Sequence, residues 1–235
     1  MSGVLGSTAC SHPGAVRKRN EDNLVDRPEV GLWAVADGAG GHGAGDVAST
    51  AIAEALIGIP PGLSAAEMLA QVRLRLDAVH ADMQSRAEER GTGGVIASTV
   101  VVLLARGGHY AALWAGDSRI YVLRGGVLHR VTRDHSLVQE LVDSGALTEE
   151  EAERHPQANI ITRAIGAQGA LALDKVSDRI QPGDRFMLCS DGVFKELPEA
   201  QLAGMMLAGA GADQLVSAAV AAGARDNVTV VVVNA

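Results

Sequence analysis

An α+β layered fold, with helix pairs packed on antiparallel sheets, is predicted by the order of elements along this 235-residue chain. Three observations lead there. Two helical patterns follow each other with no strand between them, a run of short β-rich segments joined by glycine turns comes next, and two further helices precede a last apolar strand. A parallel doubly wound sheet needs regular β-α-β-α alternation, and that alternation is missing.

The first clear strand is the apolar run LWAVA at residues 32–36. Residues 48–57 follow as an Ala-rich helix, stopped by Gly58 and the Pro60-Pro61-Gly62 breaker. In the next helix Ser64 and Glu67 make a capping box, and Met68, Leu69, Val72, Leu76, Val79 and Met83 recur at three- and four-residue spacing, with Gly91 just beyond the end. The pattern then changes to strands at 98–104, 109–115, 119–123 and 127–131, the last two joined by an Arg124-Gly125-Gly126 hairpin. Helices at 136–144 and 148–154, strands at 160–164 and 185–189, helices at 198–207 and 213–222, and a strand at 228–233 complete the order.

Composition narrows the function classes. With 47% hydrophobic but only 3% aromatic residues, the core must be built from Val, Leu, Ile and Ala. No repeat or long linker divides the chain, so residues 1–235 are read as a single domain. A net charge of -8 argues against a nucleic-acid or anionic-membrane partner, since both need a basic patch. Cys10 and Cys189 are too few for a disulfide framework or a Cys-rich zinc site and read as small buried apolar residues in a reducing compartment. There is no basic-then-apolar leader and no run of the roughly 18 apolar residues a membrane span needs. A cytoplasmic monomer is the expectation.

The stretch AVADGAGGHGAGD, residues 34–46, admits two chemistries. Gly38, Gly40 and Gly43 fit G-x-G-x-x-G between a strand and a helix, where a dinucleotide-binding turn would lie. A Rossmann unit then requires a strand and a ribose-binding acid, whereas this loop leads into two successive helices and the next acid, Glu54, lies inside the first. The second reading is a metal site. Asp37 ends a strand beside Gly38, so one dipeptide offers a carboxylate and an approachable carbonyl. The pattern recurs: Asp117 stands before Ser118, Asp191 before Gly192, Asp226 before Asn227, and Glu21 and Asp22 lie just ahead of Leu24-Val25. Any one of these acids alone would be an ordinary turn residue. If the loops converge, however, their like charges need cations among them, and all-oxygen ligands favour Mg²⁺ or Mn²⁺ over zinc.

Together the motifs VRKRNEDN, VADGAGGHGAGDVAS, TVVVLL, WAGDSRIYVLRGGVL, VTRDHSLVQELVDSGALTEEEAERHP, NIITRAIG, LCSDGVF and RDNVTVVVV resemble those of the metal-dependent serine/threonine protein phosphatases, the type 2C or PPM family, in its bacterial form. The resemblance implies a four-layer α-β-β-α sandwich, two antiparallel sheets flanked by helix pairs. It implies that Asp37 bridges a two-metal centre, with the Gly38 carbonyl on one ion and Asp191 and Asp226 on the other. Asp22, with Glu21 beside it, resembles the acid that holds the second ion through water, and Asp117 with Asp191 resembles a third, weaker site. Arg17 resembles the arginine that binds substrate phosphate, and His42 the proposed general acid for the leaving oxygen.

The chemistry implied is attack on phosphorus by a water that two divalent ions about 4 Å apart activate, with no covalent phosphoenzyme. Ser118 and Ser190 lack a nucleophile motif or a base partner and read as turn or hydrogen-bonding residues. Residues 134–156 correspond to the family's flap, where Glu149, Glu150, Glu151 and Glu153 read as a solvated face or as a substrate-selecting one. The implied partners are phosphorylated proteins and a Ser/Thr kinase, in a type VI secretion switch or an anti-sigma system. The rival readings are a silent phosphoprotein- or kinase-binding pseudophosphatase and a nucleotide-dependent oxidoreductase.

Overall fold

Among the described residues, eleven strands form two sheets with helices over their outer faces. The computed structural model describes residues 5–39, 44–90 and 95–235. The strands are β1 Gly6–His12, β2 Asp22–Arg27, β3 Leu32–Ala39, β4 Ala97–Ser98, β5 Val100–Arg106, β6 His109–Ala115, β7 Arg119–Arg124, β8 Val127–Arg130, β9 Asp174–Arg179, β10 Arg185–Cys189 and β11 Val228–Asn234. The helices are α1 Gly45–Ile57, α2 Ala65–Glu89, α3 Leu137–Asp143, α4 Glu149–Glu153, α5 Asp191–Phe194, α6 Glu199–Leu207 and α7 Ala212–Ala222. One sheet runs β1-β11-β10-β7-β8; the other runs β2-β3-β5-β6-β9, with β4 paired to β3. Every strand pairing is antiparallel. The loop after β3 therefore does not open a parallel βαβ unit, which removes the structural basis of the dinucleotide reading.

Side-chain alternation assigns the strand residues to three cores. In β3, Ala34 and Ala36 face α1 and α2, while Trp33 and Val35 face the other sheet. In β11, Val228, Val230 and Val232 face α6 and α7, while Val231 and Val233 face inward. Central strands covered on both faces must be apolar at every position, which is why VVVLL and VVVV are continuous runs. The layers are thus helix pair, sheet, sheet, helix pair, as expected from the family resemblance. Helix α2 starts as its pattern requires: Glu67 N donates to Ser64 Oγ at 3.3 Å, Ser64 N donates to Glu67 Oε2 at 2.8 Å, and Met68, Val72, Leu76, Val79 and Met83 are buried. Gly91, read as its stop, lies outside the described residues.

Some elements differ from expectation. Thr99 divides the 98–104 segment into β4 and β5. Residues 160–164 are not a strand; only single bridges, Ser136 to Ile161 and Ser98 to Ile165, tie this region to its neighbours. Strand β9 was not foreseen, because DKVSDR is exposed at all six positions and pairs with β6 through its backbone. Cys189 is buried but Cys10 only partly so. Both lie opposite Val230 on either side of β11, two strand spacings or roughly 9.5 Å apart, too far for a disulfide.

Candidate metal centre

The inward-facing columns of both sheets change character at one end. Trp33 and Val35 lead two residues on to Asp37, and Leu24 leads back to Asp22. By the same step of two, Leu188 leads to Ser190, Val231 to Thr229, Ile120 to Ser118 and Val101 to Thr99. A core of Val, Leu and Trp therefore ends in a floor of acids and hydroxyls between the sheets.

Asp22 and Asp37 are register partners across β2 and β3, so their Cβ atoms stand about 5 Å apart on one face. Asp22 spans the two sheets. Its Oδ2 accepts from Ser190 Oγ and Thr229 Oγ1, both at 2.7 Å, while its buried Oδ1 has no partner. Burial pushes its carboxyl up to about 7, the charges of Asp191 and Asp226 add to that, and the two hydroxyls oppose it. Asp37 is raised well above the ordinary carboxylate range, first by burial and then by Asp22, Asp191, Asp117 and Asp226. Its backbone is locked, the carbonyl accepting from Thr99 N and Ser98 Oγ at 2.9 Å each. Asp117 sits in the turn from β6 to β7, buried, with an unpartnered Oδ1. Burial and then Asp191 push it up to about 7, against Lys195.

The two remaining acids lie at the rim with cations on them. Asp226 accepts from Arg17 Nε and Nη2, both at 3.0 Å, and Asp191, the first residue of α5, touches the Lys195 ammonium. These partners explain a contrast. The carboxylates feel one another's charge, yet among the described residues no three His, Cys, Asp or Glu side chains form a ready-made ion shell. With the rim acids drawn to Arg17 and Lys195, the cluster shares a field without closing on a point.

Glu21 contributes mainly through its backbone. Its carbonyl accepts from Gly38 N at 3.2 Å and Ser49 Oγ at 2.6 Å, and its N donates to Asn227 Oδ1 at 2.8 Å. Its carboxyl is raised by burial and by Asp46. Gly38 has a packing reason as well: a Cβ there would lie 2.3 Å from Gly45 O and 2.5 Å from Glu21 O, so the end of β3 and the start of α1 meet backbone to backbone. His42 lies outside the described residues, as do Gly40 and Gly43. Ser118 and Ser190 serve as hydrogen-bonding groups, Ser118 to Thr99 at 2.7 Å and Ser190 to Asp22.

Several residues of the site carry no motif in the sequence. Thr99 and Thr229 are found only by extending each inward column one step. Asn227 ties Glu21 to the Pro13 and Arg19 carbonyls, at 3.0 and 2.9 Å. Lys195 was signalled only by its spacing of four from Asp191, and Asp46 by its place in the first turn of α1. A cleft of about 570 Å³ opens between the edge strands β8 and β9, lined in part by Trp114, Arg130, Arg133 and Lys175, and none of the clustered carboxylates lines it.

A double antiparallel sheet that gathers buried carboxylates with unpartnered oxygens at one end defines a class, a scaffold for hard divalent cations. Comparison with known proteins narrows it. The family model for protein phosphatase 2C matches residues 16–222, and the chain belongs to that family. The structure of PppA, a key regulatory component of T6SS in Pseudomonas aeruginosa, is 42% identical with a TM-score of 0.90, covering 98% of this chain and 97% of that one. The catalytic domain of the serine/threonine protein phosphatase PstP, solved in complex with two manganese ions, is 34% identical with a TM-score of 0.81, covering 98% of each chain. PstP of Mycobacterium tuberculosis is 38% identical over 97% of this chain, which spans 45% of that relative's length.

Proposed function

We propose that this chain hydrolyses phosphoserine and phosphothreonine in proteins, using two Mn²⁺ or Mg²⁺ ions at the carboxylate cluster. The observation that carries this reading is the pair of buried, unpartnered oxygens on Asp22 and Asp117, beside carboxyls that burial and mutual repulsion force upward. Such a site is strained until positive charge enters it. Its donors are all oxygen, which fits hard ions. When bound, two such ions supply Lewis acidity, making water nucleophilic near neutral pH and neutralising phosphoryl charge.

The groups assigned to hold them are Asp37, the Gly38 carbonyl, Asp191 and Asp226, with Asp22 and Glu21 acting through water and Asp117 beside Asp191 at a third position. Arg17 docks the substrate. Its side chain is 57% exposed and already bidentate on Asp226, so the same fork can exchange that carboxylate for phosphate oxygens. His42 is assigned the proton for the leaving serine or threonine oxygen. Because every acid assigned to the ions is present, turnover is favoured over silent phosphoprotein binding.

The likeness to PppA supports a place in a type VI secretion kinase/phosphatase switch rather than an anti-sigma system, with a Ser/Thr kinase or its targets as partners. Action as a cytoplasmic monomer completes the reading; no helix among the described residues is long and apolar enough to cross a membrane. The test is hydrolysis of p-nitrophenyl phosphate and a phosphothreonine peptide with Mn²⁺, with EDTA, and in Asp37→Asn and Asp226→Ala. Activity should require metal and nearly vanish in both variants. Full activity in EDTA or in Asp226→Ala would remove the mechanism.

A further inference from the structure

Arg119 lies at the base of the Asp117–Asp191 side of the cluster, and the phosphatase reading gives it no role. On β7 it pairs with Cys189 of β10 in the last rung of that ladder. Two residues beyond the rung come Asp117 on one chain segment and Asp191, the first residue of α5, on the other. The Arg119 Nε donates to Asp134 Oδ1 and Oδ2, both at 3.1 Å, and its Nη2 donates to Oδ2 at 2.7 Å. Its Nη1 donates to Tyr121 Oη at 3.1 Å. The two side chains of the ion pair are only 17% and 9% exposed, so this is no loose surface contact. With the edges of the guanidinium occupied, its planar face remains, and Cζ stands 3.7 Å from the ring centroid of Phe194, the last residue of α5.

Helix α5 is a single turn, so a few contacts decide where Asp191 stands. One of them faces Asp226: a Cβ on Gly192 would lie 2.1 Å from Asn227 O, which means that α5 meets the loop before β11 backbone to backbone. The other is the stack of Phe194 on Arg119, which ties α5 to the strand that follows Asp117.

We propose that Arg119 is a positioning residue for the outer ion: held by Asp134 and stacked on Phe194, it docks α5 on β7 and so sets the spacing of Asp191 from Asp117. The inference rests on the metal-dependent phosphatase reading. In that reading the inner ions also have Asp37, the Gly38 carbonyl and Asp226, carried by β3 and the loop before β11. The outer ion has only Asp117 and Asp191, so an error in their spacing falls on it.

The experiment is calorimetric titration of the whole chain with Mn²⁺ for wild type, Arg119→Lys, Phe194→Leu and Phe194→Tyr, with thermal melts in EDTA to measure any general loss of stability. Wild type should bind two ions well and a third weakly. Arg119→Lys keeps a charge for Asp134 but loses the plane that stacks, and Phe194→Leu loses the ring. Both should bind the third ion about 10-fold more weakly or worse, the usual cost of losing a residue that orients a metal ligand, with the first two affinities unchanged. Phe194→Tyr keeps the ring and should keep all three affinities. An unchanged third-ion affinity in Arg119→Lys and Phe194→Leu, an equal loss at all three ions, a Phe194→Tyr that behaves as Phe194→Leu, or a wild type that takes up only two ions overturns this inference alone. Absence of Mn²⁺ binding in wild type overturns the phosphatase reading together with it.

Discussion

Asp22→Asn should stabilise the metal-free protein while weakening its hold on ions. The Asp22 carboxyl is pushed from 3.8 up to about 7, roughly three pKa units, and each unit corresponds to about 1.4 kcal/mol. A carboxyl whose pKa is higher in the fold than in the unfolded chain keeps its proton longer when folded. Its contribution is present below the unfolded value and is lost as pH rises from about 4 to about 7, leaving a penalty of up to about 4 kcal/mol above that window. Asn keeps an oxygen for the Ser190 and Thr229 hydroxyls and places an uncharged amide where the unpartnered oxygen stood. Allowing for imperfect amide geometry, the net gain in EDTA at about pH 8 should be about 2 kcal/mol, or roughly 4 to 8 °C in Tm for a chain of this size. Saturating Mn²⁺ should reverse the order, since an ion at 100 times its Kd adds about 2.7 kcal/mol and the variant loses much of that. Thermal melts in EDTA and in Mn²⁺ at two pH values decide the matter. A variant less stable than wild type in EDTA at high pH would refute the view that this carboxylate is a strained charge awaiting a cation.

Other outcomes follow from the same geometry. Arg17→Ala removes an exposed pair worth under about 1 kcal/mol, so melts should barely move while KM for a phosphopeptide rises about 10-fold or more; Arg17→Lys should restore little of it, because the fork is lost. Gly38→Ala drives a Cβ into the Gly45 and Glu21 carbonyls, neither of which can swing aside, and should cost about 1 to 3 kcal/mol together with Mn²⁺ affinity, read by melts and titration. Burial lowers the pKa of His135, which stacks on Trp114 and faces Asp174 and Arg163, so its stabilising contribution is present above about pH 6.5 and lost as pH falls through the lowered value. A stability-versus-pH profile should therefore be flatter on the acid side in His135→Gln, and equal acid sensitivity in the two proteins would contradict this.

What could be read from residues alone tracks how each segment buries itself. Strands β5, β6, β10 and β11 were legible because they are covered on both faces, and α2 because its buried stripe has helical spacing and a capping box. Strand β9 carries no pattern, since an exposed edge strand needs only backbone partners. Residues 160–164 carry an apolar pattern but only isolated bridges, because Ile161 and Ile165 reach different neighbours. At the site, Asp37, Asp117, Asp191 and Asp226 were legible as acids next to Gly, Ser or Asn at strand ends. Lys195 and Asp46 were not, because a charge on a helix reads as solvated until the fold shows what lies opposite it.

The placement of the cluster follows from the packing. A carboxylate in the middle of an inward column would lie among Trp33, Phe186 and Val231 with no water and no hydroxyl, a desolvation cost of several kcal/mol or more. One on the outer faces would compete with helix packing. Only the end of the inward columns offers both a rigid base and an opening, and there each sheet supplies hydroxyls that orient the acids, Ser190 and Thr229 from one, Thr99 and Ser98 from the other. The strain left over is met by Arg17 and Lys195, two cations on side chains long enough to withdraw. On the function proposed above, ions and substrate phosphate would enter by exchanging partners with these residues rather than by unfolding anything, which lets a fold with so many buried acids exist before its ions arrive.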